Sequence, residues 1–334
     1  SAPSEKSDEI SQVPNMAHAE KGNHTSISKF ILLGFENLHS LRFLLFGIIL
    51  AVYLVTMMGN VLIITVVFSS RQLQTPMYYF LSNFSFLEIC YTASVVPKML
   101  KTVLSGHETI SFAGCVTQFY FFGSMAATEC FLLASMSYDR YLAICNPLRY
   151  PALMTLHVCI QLAFGSWIMG FMAPIISVSL TFRLPFCTAN EINHFFCDLN
   201  PIIKLACTDT HMVEMTIFIT MYLVVVGPFT WTVISYSQIV RTILKISSVA
   251  GRKKAFSTCS SHLTVVTLYY GTLGVVYGSP SSNLSADMNK LFSMLYTVFT
   301  PMLNPIIYTL RNKDVKEALR KLIQNIKLLC SAYN

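Results

Sequence analysis

Asp139 and Arg140 stand side by side near the end of a long apolar run. Arginine stays charged, and its planar fork can grip a carboxylate or a backbone carbonyl. A charge in lipid is expensive and usually marks function. The neighbouring Asp can lock the guanidinium in one state and free it in another. A helix-end pair snorkelling to the headgroups is the plainer alternative. Two further acids, Glu88 and Glu129, fall inside apolar runs. Two carboxylates in one dry interior repel if both ionise. That leaves a shared proton, a bound cation such as sodium, or two neutral, hydrogen-bonded acids. The segment His194-Phe195-Phe196-Cys197-Asp198 carries metal-binding side chains. A disulfide at Cys197 would remove its thiolate, and His194 with Asp198 alone is too small a ligand set. At helix depth there is no nucleophile–base constellation or metal set, which argues against an enzyme.

The elements that must position these residues are long and apolar. The chain has 334 residues, 54% hydrophobic and 12% charged, where soluble proteins average about 25% charged. Apolar runs fall at about 41–68, 77–97, 114–144, 158–180, 211–240, 256–278 and 290–310. Each approaches or exceeds the ~20 residues a helix needs to cross a bilayer. Lipid-embedded backbone must satisfy itself, and these runs lack the alternation of barrel strands. The predicted fold is an all-α membrane protein, a seven-helix transmembrane bundle over 41–310. A polar tail (1–40) precedes it, and a short cytoplasmic segment (311–334) follows. In that segment Val315, Ala318, Leu319, Leu322, Ile323 and Ile326 share one face of an amphipathic helix on the inner leaflet. Cys330 beyond them is either a palmitoylation site or a spare cysteine.

With residue 1 outside, Arg71, Arg149, Arg241, Lys245, Arg252, Lys253 and Lys254 join Arg140 and the tail's bases on the inner side, as the positive-inside rule requires. The net charge of +7 therefore reflects topology and anionic inner lipids rather than nucleic acid. The tail lacks a signal-peptide pattern, so the first crossing helix is read as the signal. Asn23-His24-Thr25 is a glycosylation sequon on the outer tail. Residues 1–15 contain no Met, and Met16 is a candidate start of a shorter product. Cys115, Cys187, Cys197 and Cys207 fall outside, where oxidation is permitted. Four cysteines allow three pairings; a bond from Cys115 would tie the loop 181–210 to the top of the third helix.

The ordered motifs resemble those of the olfactory receptors, a branch of the rhodopsin-like G-protein-coupled receptors. They are Leu33-Gly34-Phe35, Gly59-Asn60, Pro76-Met77-Tyr78-Tyr79-Phe80-Leu81, Pro97-Lys98-Met99-Leu100, the run Met136 to Cys145, and Ser235-Tyr236. They continue through Lys254-Ala255-Phe256-Ser257-Thr258-Cys259-Ser260-Ser261-His262-Leu263 and Pro301-Met302-Leu303-Asn304-Pro305-Ile306-Ile307-Tyr308, closing with Leu310-Arg311-Asn312. The resemblance covers about residues 28–320. It implies that Asp139, Arg140 and Tyr141 form the switch facing the G protein. Tyr236 and Tyr308 would meet the arginine on activation, and Asn304, Pro305 and Tyr308 would form a hinge. It implies the disulfides Cys115–Cys197 and Cys187–Cys207. Glu88 stands where many rhodopsin-like receptors carry Asp. Tyr269-Tyr270-Gly271 replaces the usual Trp-bearing segment, which makes Tyr270 the toggle under the ligand.

The pocket is expected in the outer half of the bundle. Phe119, Phe122, Gly123, Ala126 and Ala127 recur at helical spacing on the third helix, as do Tyr270, Leu273 and Tyr277 on the sixth. The resemblance adds Thr220 and Val224 on the fifth helix and Met294 and Thr297 on the seventh. None of these side chains is charged, so the ligand is expected to be a small, neutral, mostly apolar odorant. Its one polar group would bond Tyr277 or Thr220, since a buried polar group needs a partner. The family implies a stimulatory heterotrimeric G protein, cyclic AMP, and the plasma membrane of sensory cilia. A channel or transporter, the rival class, would need a polar path, and only Glu88, Glu129 and scattered Ser and Thr offer one. Apart from a sodium ion at Glu88 and Glu129, no cofactor is expected.

Overall fold

A computed structural model describes residues 28–35, 41–186, 190–278 and 286–333; within these, the side chains at 254, 276–278, 286, 310, 311, 313 and 325–333 are outside the description. In chain order the helices are α1 (Arg42–Ser69), α2 (Pro76–Ser105), α3 (Phe112–Cys145), α4 (Tyr150–Leu153), α5 (Leu156–Met172) and α6 (Pro174–Thr181). After them come α7 (Leu199–Ile203), α8 (His211–Leu244), α9 (Val249–Gly278), α10 (Ala286–Met294), α11 (Thr300–Arg311) and α12 (Lys313–Tyr333). Among the described residues five stretches are long and apolar enough to cross a membrane: Arg42–Ser69, Phe112–Cys145, Leu156–Thr181, His211–Leu244 and Asp287–Thr309. α2 and α9, of 30 residues each, are about 45 Å long at 1.5 Å per residue and complete the seven. They overrun the expected 77–97 and 256–278 because polar turns extend them, around Lys98 and Lys101 in α2 and Arg252 and Lys253 in α9.

Local chemistry sets several boundaries. Pro76 opens α2, where a missing N–H is harmless, and Gly106 at φ 84° closes it, a left-handed position that favours glycine. The Ser111 side chain accepts the Gly114 N–H at 3.0 Å and caps α3. Two glycines set how closely helices approach. A Cβ on Gly59 would stand 3.1 Å from the Pro305 ring, and one on Gly170 would stand 2.7 Å from the Thr128 backbone nitrogen. α1 therefore lies against α11, and α5 against α3, at backbone range.

At one end of the bundle sits a cap that the reading of 1–40 as a polar tail did not anticipate. β1 (Lys29–Leu33), β2 (His107–Ser111) and β3 (Glu191–Ile192) form a sheet in the order β2-β1-β3. β1 runs antiparallel to β2, from Lys29 opposite Ser111 to Leu33 opposite His107, and parallel to β3, Ile31 opposite Glu191. Phe30 and Leu32 are fully buried in an apolar cluster with Cys115, Phe119, Ile192, Cys197 and Ile202. The Lys290 ammonium, buried at 3% exposure, donates to the Gly34 carbonyl at 2.7 Å. At the other end Asn312 breaks the helix between α11 and α12, and Tyr78 bonds Asn312 and Asp314. α12 then buries Val315 and Ala318 and packs Leu319 and Leu322 on the main core, while Ile323 stays exposed.

Candidate functional site

Below the cap lies a cavity of about 110 Å3, far above the ~10–15 Å3 that one water needs. Phe119, Phe122, Gly123, Ala126 and Ala127 wall one side, and Thr220, Val224 and Leu273 contribute from α8 and α9. Three expected residues are not part of the wall. On α9 the cavity meets Tyr269, not Tyr270. The Tyr269 hydroxyl donates to the Ala126 carbonyl at 2.6 Å, while the Tyr270 ring packs on Phe229, centroids 4.8 Å apart. The α9 tyrosine on the cavity is thus Tyr269, one residue earlier than the helical stripe suggested. On the seventh span Tyr296 lines the cavity, while Met294 and Thr297 are buried elsewhere. A π-turn at Leu295–Phe299 widens the helix there and shifts which residues share a face. The Tyr277 side chain lies outside the description.

Sequence reasoning missed several lining residues. Cys130 continues the α3 stripe, and Ile217 and Met221 share the α8 face of Thr220 and Val224, so spacing could have found them. Pro174 and Ser177 on α6, and Asp198 and Leu199 in the loop, carry no such signal. Asp198 corrects the expectation of a wall without charge. It is 3% exposed and accepts the Leu199 N–H at 2.8 Å. Burial lifts its carboxyl to about 6, the Leu199 bond opposing.

Cys197, next to Asp198, is bonded to Cys115, so it has no thiolate to offer a metal. Its N–H donates to Gln118 Oε1 at 3.0 Å, and Gln118 Nε2 donates to the Ser94 carbonyl at 3.0 Å. One side chain therefore ties the loop, α3 and α2. His194 is buried, with Nε2 3.2 Å from the Ser293 hydroxyl. Burial, with the Lys290 charge beside it, pushes its imidazole down to about 3. Among the described residues no three His, Cys, Asp or Glu side chains converge on a metal site. Cys207 is disulfide-bonded; the expected partner, Cys187, lies outside the described residues, as does Asn23.

At the opposite end Arg140 is paired with Asp139, Nε donating at 2.9 Å and a second bond running from Nη2. The Tyr150 hydroxyl donates to the other Asp139 oxygen at 2.7 Å. Asp139 is 1% and Arg140 7% exposed. The Tyr236 hydroxyl lies 2.6 Å from His262 Nδ1. Tyr141 packs on the cluster of Tyr236, Ile239, Ile243 and Cys259. Asn304 Nδ2 donates to Glu88 Oε1, tying α11 to α2. Glu88 Oε2, Glu129 Oε1, Asn304 Oδ1 and the Tyr308 hydroxyl are buried with no hydrogen bond among the described residues.

The family model for olfactory receptors matches residues 49–326. The chain is 46% identical over 310 residues to olfactory receptor 6N1 of Homo sapiens, covering 93% of this chain and 99% of that one. It is 51% identical over 301 residues to olfactory receptor 6B9 of Mus musculus, covering 90% and 95%. Against olfactory receptor 287 of Rattus norvegicus it is 50% identical over 309 residues, covering 92% and 99%. Seven long helices, a cavity below the cap and a buried Asp–Arg pair at the far end accord with these matches. The chain belongs to the olfactory receptor family and is a multi-pass membrane receptor for odorants that couples to G proteins, not an enzyme.

Proposed function

We propose that this receptor binds a small, neutral, mostly apolar volatile in the cavity under the cap and activates a stimulatory G protein, raising cyclic AMP. The observation that carries the ligand class is the wall itself. Phe119, Phe122, Ala126, Val224, Leu273 and their neighbours offer apolar contact, and among the described residues Asp198 is its one acidic or basic side chain. An anionic ligand would meet that carboxylate and lose water without a counter-charge, an unfavourable exchange. The stimulatory coupling rests on the family. The cap end faces outward in this reading, with the N-terminal segment outside, Asn23 glycosylated, and the Arg140 end toward the G protein at the membrane of sensory cilia. The pairing Cys187–Cys207 remains part of it.

Ligand and G protein each favour the same open arrangement, and each shifts the equilibrium only by its differential affinity. Asp139, itself bonded by the Tyr150 hydroxyl, holds Arg140, which is the locked state. The orphan oxygens of Glu88, Glu129 and Asn304 are hard donors of the kind that suits a sodium ion or a shared proton. Screening an odorant panel by cyclic AMP reporter in cells that display the receptor tests the reading. Responses to neutral volatiles support it. Responses confined to carboxylic acids, or current carried by the protein alone in bilayers, overturn it.

A further inference from the structure

We infer that Asp198 is the polar anchor of the cavity and that it selects odorants able to donate a hydrogen bond, alcohols before ketones or ethers of the same skeleton. The inference rests on the proposed ligand site and narrows its ligand class.

Asp198 is held in place from both sides. Cys197 before it is fixed by the bond to Cys115 and by the hydrogen bond to Gln118, and Leu199 after it opens α7. The side chain lines the cavity at 3% exposure, and only Oδ1 has a hydrogen-bond partner among the described residues, the Leu199 N–H. The other oxygen has little access to water at a residue 3% exposed, and a ligand that donates to a carboxylate gains more than a neutral bond would give. Burial raises the carboxyl only to about 6; near neutral pH it is chiefly ionised and accepts without donating.

Two of the neighbouring hydroxyls are already engaged as donors. The Tyr269 hydroxyl already donates to Ala126, and the Thr220 hydroxyl donates to the Thr216 carbonyl at 2.8 Å. With those donors engaged, a ketone or ether oxygen facing Asp198 meets like partial charge, whereas a hydroxyl completes the site. Ser177, which also lines the cavity, is the competing group, because its hydroxyl can donate or accept.

The test uses the full-length receptor in lipid nanodiscs and thermal stabilisation by 2-octanol, 2-octanone, 2-methoxyoctane and 2-aminooctane. The alcohol should stabilise at a concentration roughly tenfold or more below the ketone and ether, the size of one hydrogen bond to a charged group. Asp198→Asn keeps an oxygen for the Leu199 N–H and adds a donor, so it should bring the alcohol-to-ketone ratio near one. Equal responses of the wild type to alcohol, ketone and ether, none included, overturn the anchor. So does a preference that survives Asp198→Asn and falls with Ser177→Ala, a comparison that stands on the wild type and Ser177→Ala if Asp198→Asn does not fold. A strongest response to 2-aminooctane keeps the anchor and overturns the neutral ligand class. Thermal selectivity with no cyclic AMP response to any odorant keeps the anchor and overturns the signalling reading.

Discussion

The two ends of the bundle are fastened by different chemistry. At the cap end the main ties are covalent or run through the backbone: the β2-β1-β3 ladder, Cys115–Cys197, the Cys197 N–H on Gln118, and Lys290 on the Gly34 carbonyl, with the side-chain pairs His194–Ser293 and Lys98 and Lys101 on Glu108 beside them. At the Arg140 end they run between side chains: Arg140 and Tyr150 on Asp139, Tyr236 on His262, and Tyr78 on Asn312. A ladder bond breaks only when its strand leaves the sheet. A side-chain bond can exchange by a rotamer change. Between the ends, Glu88, Glu129, Asn304 and Tyr308 keep buried oxygens without partners among the described residues; such partly satisfied networks are high-energy and gain from new contacts. The difference teaches a division of labour, a fixed end that presents the cavity and an exchangeable end that answers it.

The comparison breaks first at Arg140. Arg140→Ala should leave surface display intact and abolish odorant-driven cyclic AMP; normal signalling from a well-displayed variant would show that this end does not carry the switch. At the cap end, Cys115→Ser or Cys197→Ser should cost about 2–5 kcal/mol and strip most folded receptor from the surface, read by antibody labelling of intact cells. Undiminished display would mean that the ladder alone holds the cap. Gln118→Ala removes two neutral hydrogen bonds, about 1–3 kcal/mol together, and should lower the thermal midpoint of the purified receptor; an unmoved midpoint would discount the tie between loop, α3 and α2. The smallest effect is expected from Tyr236→Phe. Losing one hydrogen bond, about 1 kcal/mol, should raise ligand-free cyclic AMP roughly fivefold if the His262 contact favours the locked state. Unchanged basal signalling would assign that contact to packing.

Much of the scaffold was legible because lipid imposes a length and a composition. The seven runs, the amphipathic α12, the Asp139–Arg140 pair and the α3 stripe all follow from that constraint. Phase along a helix was less legible. On α9 two adjacent tyrosines compete for one face, and periodicity did not choose Tyr269 over Tyr270. On the seventh span a π-turn puts Tyr296 on the cavity, and a wide turn leaves no mark in hydropathy. Asp198 and β1 were hidden for another reason. Their places depend on pairing between segments far apart in the chain, which no local pattern records.

That pairing sets a timetable for synthesis. β1 is among the first segments described, yet its neighbours come late. Asn190 bonds Lys29 across 161 residues, Lys290 reaches Gly34 across 256, and Cys115 waits 82 residues for Cys197. Chains grow at about 5–20 residues per second, so the strand stands unpaired on one side for roughly 10–30 s of translation. Phe30 and Leu32 are uncovered during that interval. Contacts of such long range reward the chain only after the intervening loop has closed. The cap therefore closes near the end of synthesis, and a nascent receptor arrested after α3 is a species with an exposed apolar strand for quality-control factors to bind.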